Sequence, residues 1–275
     1  MNKKTLALSL LIISMLALVV FAASSQRSPT VCAGQWSTCS NANADDTNRA
    51  TFTATNTLNG SGRWSSYGFL LQNGAIITNV TVRADFFASN VRGFINVKVS
   101  GNNGATYGPS HVVGGNTAEQ TFNIDVTNDL AWTPSMLNNN NLRVNATCFK
   151  SPTSGSNPTC RLDWVPMNVT YTPFDYSLSV SPSSDSVLQG NNATTTVTVS
   201  LVSGNSQNVF LSTAGCPGNA SCILNPTSGL PSFVSELKVV TQTQNGTTPI
   251  GTYVIKVNSF GDGVSRSTNY TLSVV

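Results

Sequence analysis

Charge is the scarcest ingredient of this chain. Asp, Glu, Lys and Arg together make up 9% of its 275 residues. Without Lys3 and Lys4, which belong to a leader described below, the 14 basic side chains fall to 12 against 11 acidic, a net of +1. That balance offers no hold to a nucleic acid or an anionic membrane, so neither is expected as a partner. There is a single histidine, His111, in the glycine-rich run GPSHVVGG. A Ser-His-Asp or Cys-His nucleophile needs such a base beside it, and no GxSxG elbow accompanies this one, so it reads as a surface histidine. Glutamate occurs only at Glu119 and Glu236, in different predicted domains. Glycoside hydrolysis wants two carboxylates across one sugar bond, and Asp125 and Asp129 at a strand end read instead as turn caps or solvated groups. No GxxxxGK[ST] loop or dinucleotide fingerprint occurs, which removes phosphate and nicotinamide chemistry. No CxxC occurs either, so the cysteines are not zinc ligands. The pair Asp45 and Asp46 in SNANADDTN is oxygen-rich, but its spacing matches no Ca²⁺ loop and it reads as solvated. No catalytic residue, metal or cofactor is expected, and the chain reads as a non-enzyme.

Long apolar runs are missing too, except at the start. Lys3 and Lys4 precede a run from Leu6 to Ala23 broken only by Ser9 and Ser14. These are the n-region and h-region of a secretory signal, taken as residues 1–24, with cleavage expected between Ala22 and Ser25. The run is about 18 residues long, the lower limit for crossing a bilayer, so an uncleaved anchor is the alternative. Membrane association is expected only in that case. No cysteine directly follows the run, so a lipid anchor is not indicated. The expected location is extracellular or cell-surface.

What the chain does have is strand pattern, turn residues and cysteine pairs. No stretch holds a helical period. Ile77 to Phe86 sets Val80, Val82, Ala84 and Phe86 against Asn79, Thr81, Arg83 and Asp85, the period-2 alternation of a half-buried strand. Phe94–Val99 and Gln120–Val126 follow, separated by loops full of Gly and Asn. Leu142, Val144, Ala146 and Cys148 alternate next, and Cys160, Leu162 and Trp164 repeat the phase, so the two read as a hairpin stapled by its cysteines. Pro166 then shifts the phase to Met167, Val169 and Tyr171, which implies a bulge or strand break. Beyond Pro173 come Tyr176–Val180, Val197–Leu201, Val209–Leu211, Leu237–Val239, Tyr253–Val257 and Tyr270–Val274. Many short strands with regular turn signals define an all-β chain of two tandem antiparallel sandwiches. The division expected is 25–48 as a polar, disulfide-looped segment, 49–172 as the first sandwich and 173–275 as the second.

The 6 cysteines fall into three local pairs, Cys32 with Cys39, Cys148 with Cys160 and Cys216 with Cys222. In an exported chain these read as disulfides, each worth about 2–3 kcal/mol. Sequons occur at Asn59, Asn79, Asn145, Asn168, Asn192, Asn219, Asn245 and Asn269. Strand phase puts Asn79, Asn145, Asn168 and Asn269 on solvent faces, and the other four fall in predicted loops. All eight are candidate glycosylation sites where the host modifies asparagine. Among the aromatics, Trp36 and Tyr107 stand between glycines and polar residues and are the expected exposed pair, candidates for ligand contact.

The set Tyr67-Gly68-Phe69, Ala75 to Val80, Gly104 to Tyr107, Trp132-Thr133-Pro134-Ser135-Met136-Leu137 and Val169-Thr170-Tyr171-Thr172 resembles a family of secreted β-sandwich modules. The resemblance implies a jelly-roll-like, non-catalytic module and assigns no functional residues. Phe174–Ser184 and Thr248–Val257 are similar to the immunoglobulin-like accessory domains of prokaryotic surface proteins. There Cys216 and Cys222 would lie in an inter-strand loop, away from the inter-sheet cysteines of antibody domains. Dense sequons, low charge and tandem sandwiches together resemble archaeal cell-surface proteins. The expected role is structural, adhesive or recognition, with other surface proteins or glycans as partners. The alternatives are a carbohydrate-binding module, or a filament subunit whose residues Ser24 to Val31 pair with a neighbour's sheet edge.

Overall fold

The computed structural model describes residues 22–151, 154–244 and 246–275. The expected leader falls almost wholly outside these residues, as does the sequon residue Asn245. Alternation places apolar side chains on one face of each strand, and those faces meet in two separate cores, one on each side of Pro173.

Among the described residues eleven strands build the first sandwich: β1 (Ala23–Arg27), β2 (Val31–Gly34), β3 (Ala50–Thr53), β4 (Gly60–Ser65), β5 (Ile76–Ala88), β6 (Gly93–Ser100), β7 (His111–Gly114), β8 (Gln120–Asp125), β9 (Arg143–Lys150), β10 (Thr159–Trp164) and β11 (Met167–Thr172). One sheet runs β1-β11-β5-β10-β3, with β8 also paired to β5; the other runs β2-β4-β9-β6-β7. The 13-residue β5 is the spine, with β10 and β11 end to end along one edge and β8 on the other. From β3 to β10 every connection except the β6–β7 hairpin crosses between sheets. The orders β3-β10-β5-β8 and β4-β9-β6-β7 that result are those of a jelly roll.

The second sandwich contains β12 (Asp175–Ser181), β13 (Ser184–Val187), β14 (Asn192–Ser203), β15 (Val209–Ala214), β16 (Ser221–Asn225), β17 (Ser228–Gly229), β18 (Phe233–Val240), β21 (Gly251–Gly261) and β22 (Val264–Val274), plus a small ribbon of β19 (Gln242–Thr243) and β20 (Gly246–Thr247). Its sheets run β12-β14-β18-β16 and β13-β22-β21-β15-β17. This is the immunoglobulin arrangement of a four-strand sheet on a CFG-type sheet, here with the first strand divided between the two. Among the described residues the one parallel pairing is β13 with β22. Val197, Val199, Leu237, Val239, Ile255, Val257 and Leu272 fill the core without measurable exposure.

The three local disulfides are present, but the middle one does different work from a hairpin staple. Strand β9 belongs to one sheet and β10 to the other, so Cys148–Cys160 spans the sandwich with a Cα–Cα distance of 6.2 Å. Both cysteines are fully buried. Residue spacing sets which face a strand shows; it does not say whether the next strand pairs with it or crosses over. Cys32–Cys39 ties β2 to a 3-10 turn at Cys39–Ala42, and Cys216–Cys222 ties a loop to the edge strand β16.

Residues 25–48 are part of the first sandwich, not an approach to it. β1 lies along β11 and β2 along β4. Trp36 and Ala42 enter the core. β1 starts at Ala23, inside the interval where cleavage is expected, so a cut at 24 or 25 would shorten an edge strand. In this chain β1 already has a partner in β11, and a donor-strand role would require it to leave that edge.

The phase change near Pro166 begins earlier, at Asp163. Leu162 pairs with Phe86 and Trp164 with Asp85, which leaves Asp163 as the extra residue of a bulge. Leu162 stays in the core, Asp163 is 1% exposed, and Trp164 is pushed to the outside, where the Arg83 guanidinium lies 4.6 Å from its ring centre. Trp164 therefore leaves the apolar face it was expected to share with Cys160 and Leu162.

The two sandwiches join through Pro173 without a tether. The loop Gln72–Gly74 of the first reaches the β14–β15 and β21–β22 turns of the second. The Asp262 carboxylate accepts the backbone N–H groups of Asn73 at 3.2 Å and Gly74 at 2.8 Å. Asn205 N–H donates to the Gly74 carbonyl at 2.7 Å. Gln72 donates to the Asp262 carbonyl and accepts from Phe174 N–H. A Cβ on Gly74 would sit 2.6 Å from the Asn205 carbonyl oxygen, so only glycine allows this approach. Combining Gly74→Val with Asp262→Ala should free the two bodies. By NMR relaxation the wild type should tumble as one unit and the double variant with two correlation times. Two correlation times in the wild type would show that this clasp does not hold.

Candidate functional site

Trp36 and Tyr107, the expected exposed aromatics, part company. Trp36 is 4% exposed and belongs to the core. Its ring meets Trp64 edge-on at 6.0 Å and its Nε1–H donates to the Ala146 carbonyl at 3.1 Å. The space comes from Gly62 on β4, where a Cβ would lie 2.8 Å from Trp36 Cδ1. The polar residues flanking Trp36 gave no sign of a glycine opposite. Tyr107 is half-buried and lines an open dish of about 360 Å³ on the outer face of the β2-β4-β9-β6-β7 sheet. Arg63, Ser61, Asn145 and the glycines at 34, 62 and 104 complete its walls.

The strands put this face together by register. Arg63 on β4 pairs with Asn145 on β9, which pairs with Lys98 on β6. Ser61 pairs with Thr147, which pairs with Asn96. Arg143, two residues from Asn145, points the same way. Its guanidinium donates to the Asn139 carbonyl at 3.0 Å and to the side chain of Asn103, so the loop carrying Tyr107 holds it in place. Burial, then the neighbouring Arg63, pulls the Arg143 pKa down.

A second dish of about 440 Å³ lies on the outer face of β15, β21 and β22. Phe210 and Phe260 pair across the strands there, each more than half exposed. Ser212, Asn258 and Ser267 form the next row.

His111 stands at the start of β7, not in a loop, and its Nε2 lies 2.7 Å from Asp129 Oδ2. The Asp129 side chain is 8% exposed, so this aspartate is neither solvated nor a simple cap. Among the described residues no hydroxyl or thiol hydrogen-bonds to the other ring nitrogen. Asp125 does cap a turn, accepting from Thr127 N–H at 2.9 Å. Asp46 accepts from Asn48 N–H at 2.6 Å, and Asp45 lies 3.5 Å from Arg83. No group of three or more His, Cys, Asp or Glu side chains able to hold a metal occurs among the described residues.

Asp163 is a buried carboxylate that strand alternation does not foretell. Its Oδ1 has no hydrogen-bond partner among the described residues. Burial, with Glu119 nearby and Arg49 opposing, raises its carboxyl to about 6. Alternation alone would place it in water; only the bulge turns it inward.

The sequon asparagines on strands face outward. Asn79, Asn145 and Asn168 are half-buried and Asn269 is exposed. The first three already bond neighbours: Asn79 with Thr127, Asn145 with the Gly62 carbonyl and Asn168 with Ser24. Asn59 and Asn219 are exposed in loops, while Asn192 opens β14 instead of lying in a loop, and is exposed.

No protein-family model matches the chain, and no curated protein sequence does. Solved structures similar to the chain at low scores include the following three. Domains 4 and 5 of the S-layer protein SbsC match 40% of this chain at 17% identity and a TM-score of 0.29, and the chain spans 63% of that structure. A beta-1,2-glucanase from Parabacteroides distasonis matches 93% of the chain at 10% identity and a TM-score of 0.33, with 37% of the enzyme covered. A DUF4785 family protein from Legionella pneumophila matches 92% at 12% identity and a TM-score of 0.26, with 70% covered. Likeness this distant transfers neither activity nor ligand.

Proposed function

We propose that this is a non-enzymatic exported protein, held at the cell surface, whose two sandwiches act through their outer faces as structural, adhesive or recognition surfaces. The observation that carries the reading is the set of three disulfides, one of them crossing the first core. Such bonds persist in an oxidising compartment and not in a reducing cytosol. The clasp at Asp262 supports it further, because a body with two rigidly related faces suits a lattice or a bridge between partners. Purified chain, labelled and added back to source cells stripped of it by mild extraction, should rebind saturably. Chain that stays in the medium would overturn the surface reading.

The second reading is a carbohydrate-binding module, favoured by the Tyr107 dish. It places an aromatic ring beside amides, hydroxyls and arginine on a rigid sheet, the mixture that recognises a sugar's apolar face and its hydroxyls. The filament alternative is weaker, because β1 is paired within its own chain.

A further inference from the structure

The first sandwich separates its charges by face. On the β5 side two guanidinia are matched by carboxylates, Arg49 meeting Glu119 at 2.6 Å and Arg83 meeting Asp85 at 2.6 Å, while Arg161 lies over the Phe87 ring. On the opposite sheet the outward positions carry Arg63, Lys98 and Arg143, and strand register brings no Asp or Glu among them. None of these three takes part in an ion pair among the described residues. For a chain with 9% charged residues, three cations on neighbouring strands are a concentration. Diagonal neighbours on a sheet lie about 7–8 Å apart, close enough for like charges to repel. That repulsion costs folding energy unless an anion relieves it. Arg143 is also fixed by carbonyl and amide oxygens, which leaves part of its fork prepared for a ligand. Tyr107 closes the arrangement. Its Oη would lie 2.9 Å from a Cβ on Gly104, and Arg63 Nη1 would lie 3.7 Å from the same point, so phenol and guanidinium share one small space.

We propose that this dish binds an acidic saccharide, with the anionic group held by Arg63 and Arg143 and a sugar ring laid against Tyr107. The proposal rests on the carbohydrate-binding reading and narrows it by ligand class. A simple anion would use the guanidinia but not the aromatic wall or the Asn145 amide and Ser61 hydroxyl that line the dish. A neutral sugar would leave the cations uncompensated. Dish size agrees, since about 360 Å³ lies in the range of small-ligand sites. Asn145 is also a sequon residue, and a glycan on it would occupy the dish, so the two uses of this face exclude each other.

The test is calorimetric titration of the full chain, made in a host without N-glycosylation. The probes are an oligogalacturonate, a neutral oligosaccharide of equal length and inorganic polyphosphate. Oligogalacturonate should bind and weaken with salt. Arg63→Gln and Tyr107→Ala should each reduce affinity about tenfold or more, and Lys256→Gln on the second sandwich should not. Thermal melts confirm that the variants fold. Undiminished binding by Arg63→Gln, or equally strong binding of polyphosphate, would overturn the proposal. Binding of the neutral sugar alone would overturn it and leave the carbohydrate reading standing, whereas no saccharide binding at all would remove both.

Discussion

Replacing Cys148 and Cys160 together by alanine should lower the unfolding free energy of the first sandwich by about 3–5 kcal/mol. Two effects add. The bond closes a loop with a sequence separation of 12, which constrains the unfolded chain by about 3 kcal/mol. Both sulfurs are also fully buried between the sheets, so their removal leaves a void where Phe52 and Phe94 carbonyls now approach them. A hairpin staple at the sheet surface would lose only the first part. Urea denaturation of the full chain, followed by Trp fluorescence, reads the effect directly, because Trp36, Trp64, Trp132 and Trp164 all lie in the first sandwich. Cys32 and Cys39 are only partly buried, and their replacement should cost less. A loss for the Cys148/Cys160 pair no greater than for Cys32/Cys39 would contradict the cross-sheet role.

Asp163→Asn should stabilise the protein at neutral pH, unusually for a substitution in a core. The sign follows from linkage. The Asp163 carboxyl sits at about 6 in the folded protein against 3.8 when exposed. An acid whose folded pKa is raised binds its proton more tightly when folded. It therefore costs nothing below about pH 3.8, and its burden grows as pH rises through 6. Raising the carboxyl from 3.8 to about 6 corresponds to about 3 kcal/mol at pH 7.5. Asparagine cannot ionise but still leaves a buried polar group unpartnered, so the expected gain is about 2 kcal/mol at pH 7.5, vanishing near pH 3.5. Denaturation at several pH values measures it. A gain that does not depend on pH would mean that Asp163 is ionised and compensated in the fold.

The Cys148–Cys160 bond and Asp163 also mark how far the sequence can be read. Val80, Val82, Ala84 and Phe86 announce β5 because the core needs only a period of two, and that period is local. Cys148 and Cys160 announce their bond, since they stand 12 residues apart in sequence with a turn-rich loop between them. Whether the bond crosses the core is decided by which sheet β10 joins, and that depends on β5, some 75 residues earlier in the chain. Asp163 is illegible for a related reason. A bulge forms where the partner strand cannot accommodate the register, and no residue near Leu162-Asp163-Trp164 records what β5 presents opposite. Burial of Trp36 is illegible because the glycine that admits it, Gly62, lies on β4, some 26 residues further along the chain. Tyr107 stands among polar residues in the sequence, but the cations beside it in the fold are not legible there, because Arg63, Lys98 and Arg143 come together only through pairing across three strands.

The most direct test of the account is the state of the protein on intact source cells. Cells labelled with a membrane-impermeant amine reagent, then lysed under thiol-blocking conditions, should yield labelled chain with no alkylated cysteine. Its intact mass should rise by six hydrogens on reduction, one pair for each of the three disulfides. Unlabelled chain recovered only from the cell interior, with its cysteines free, would contradict an exported protein acting at the surface.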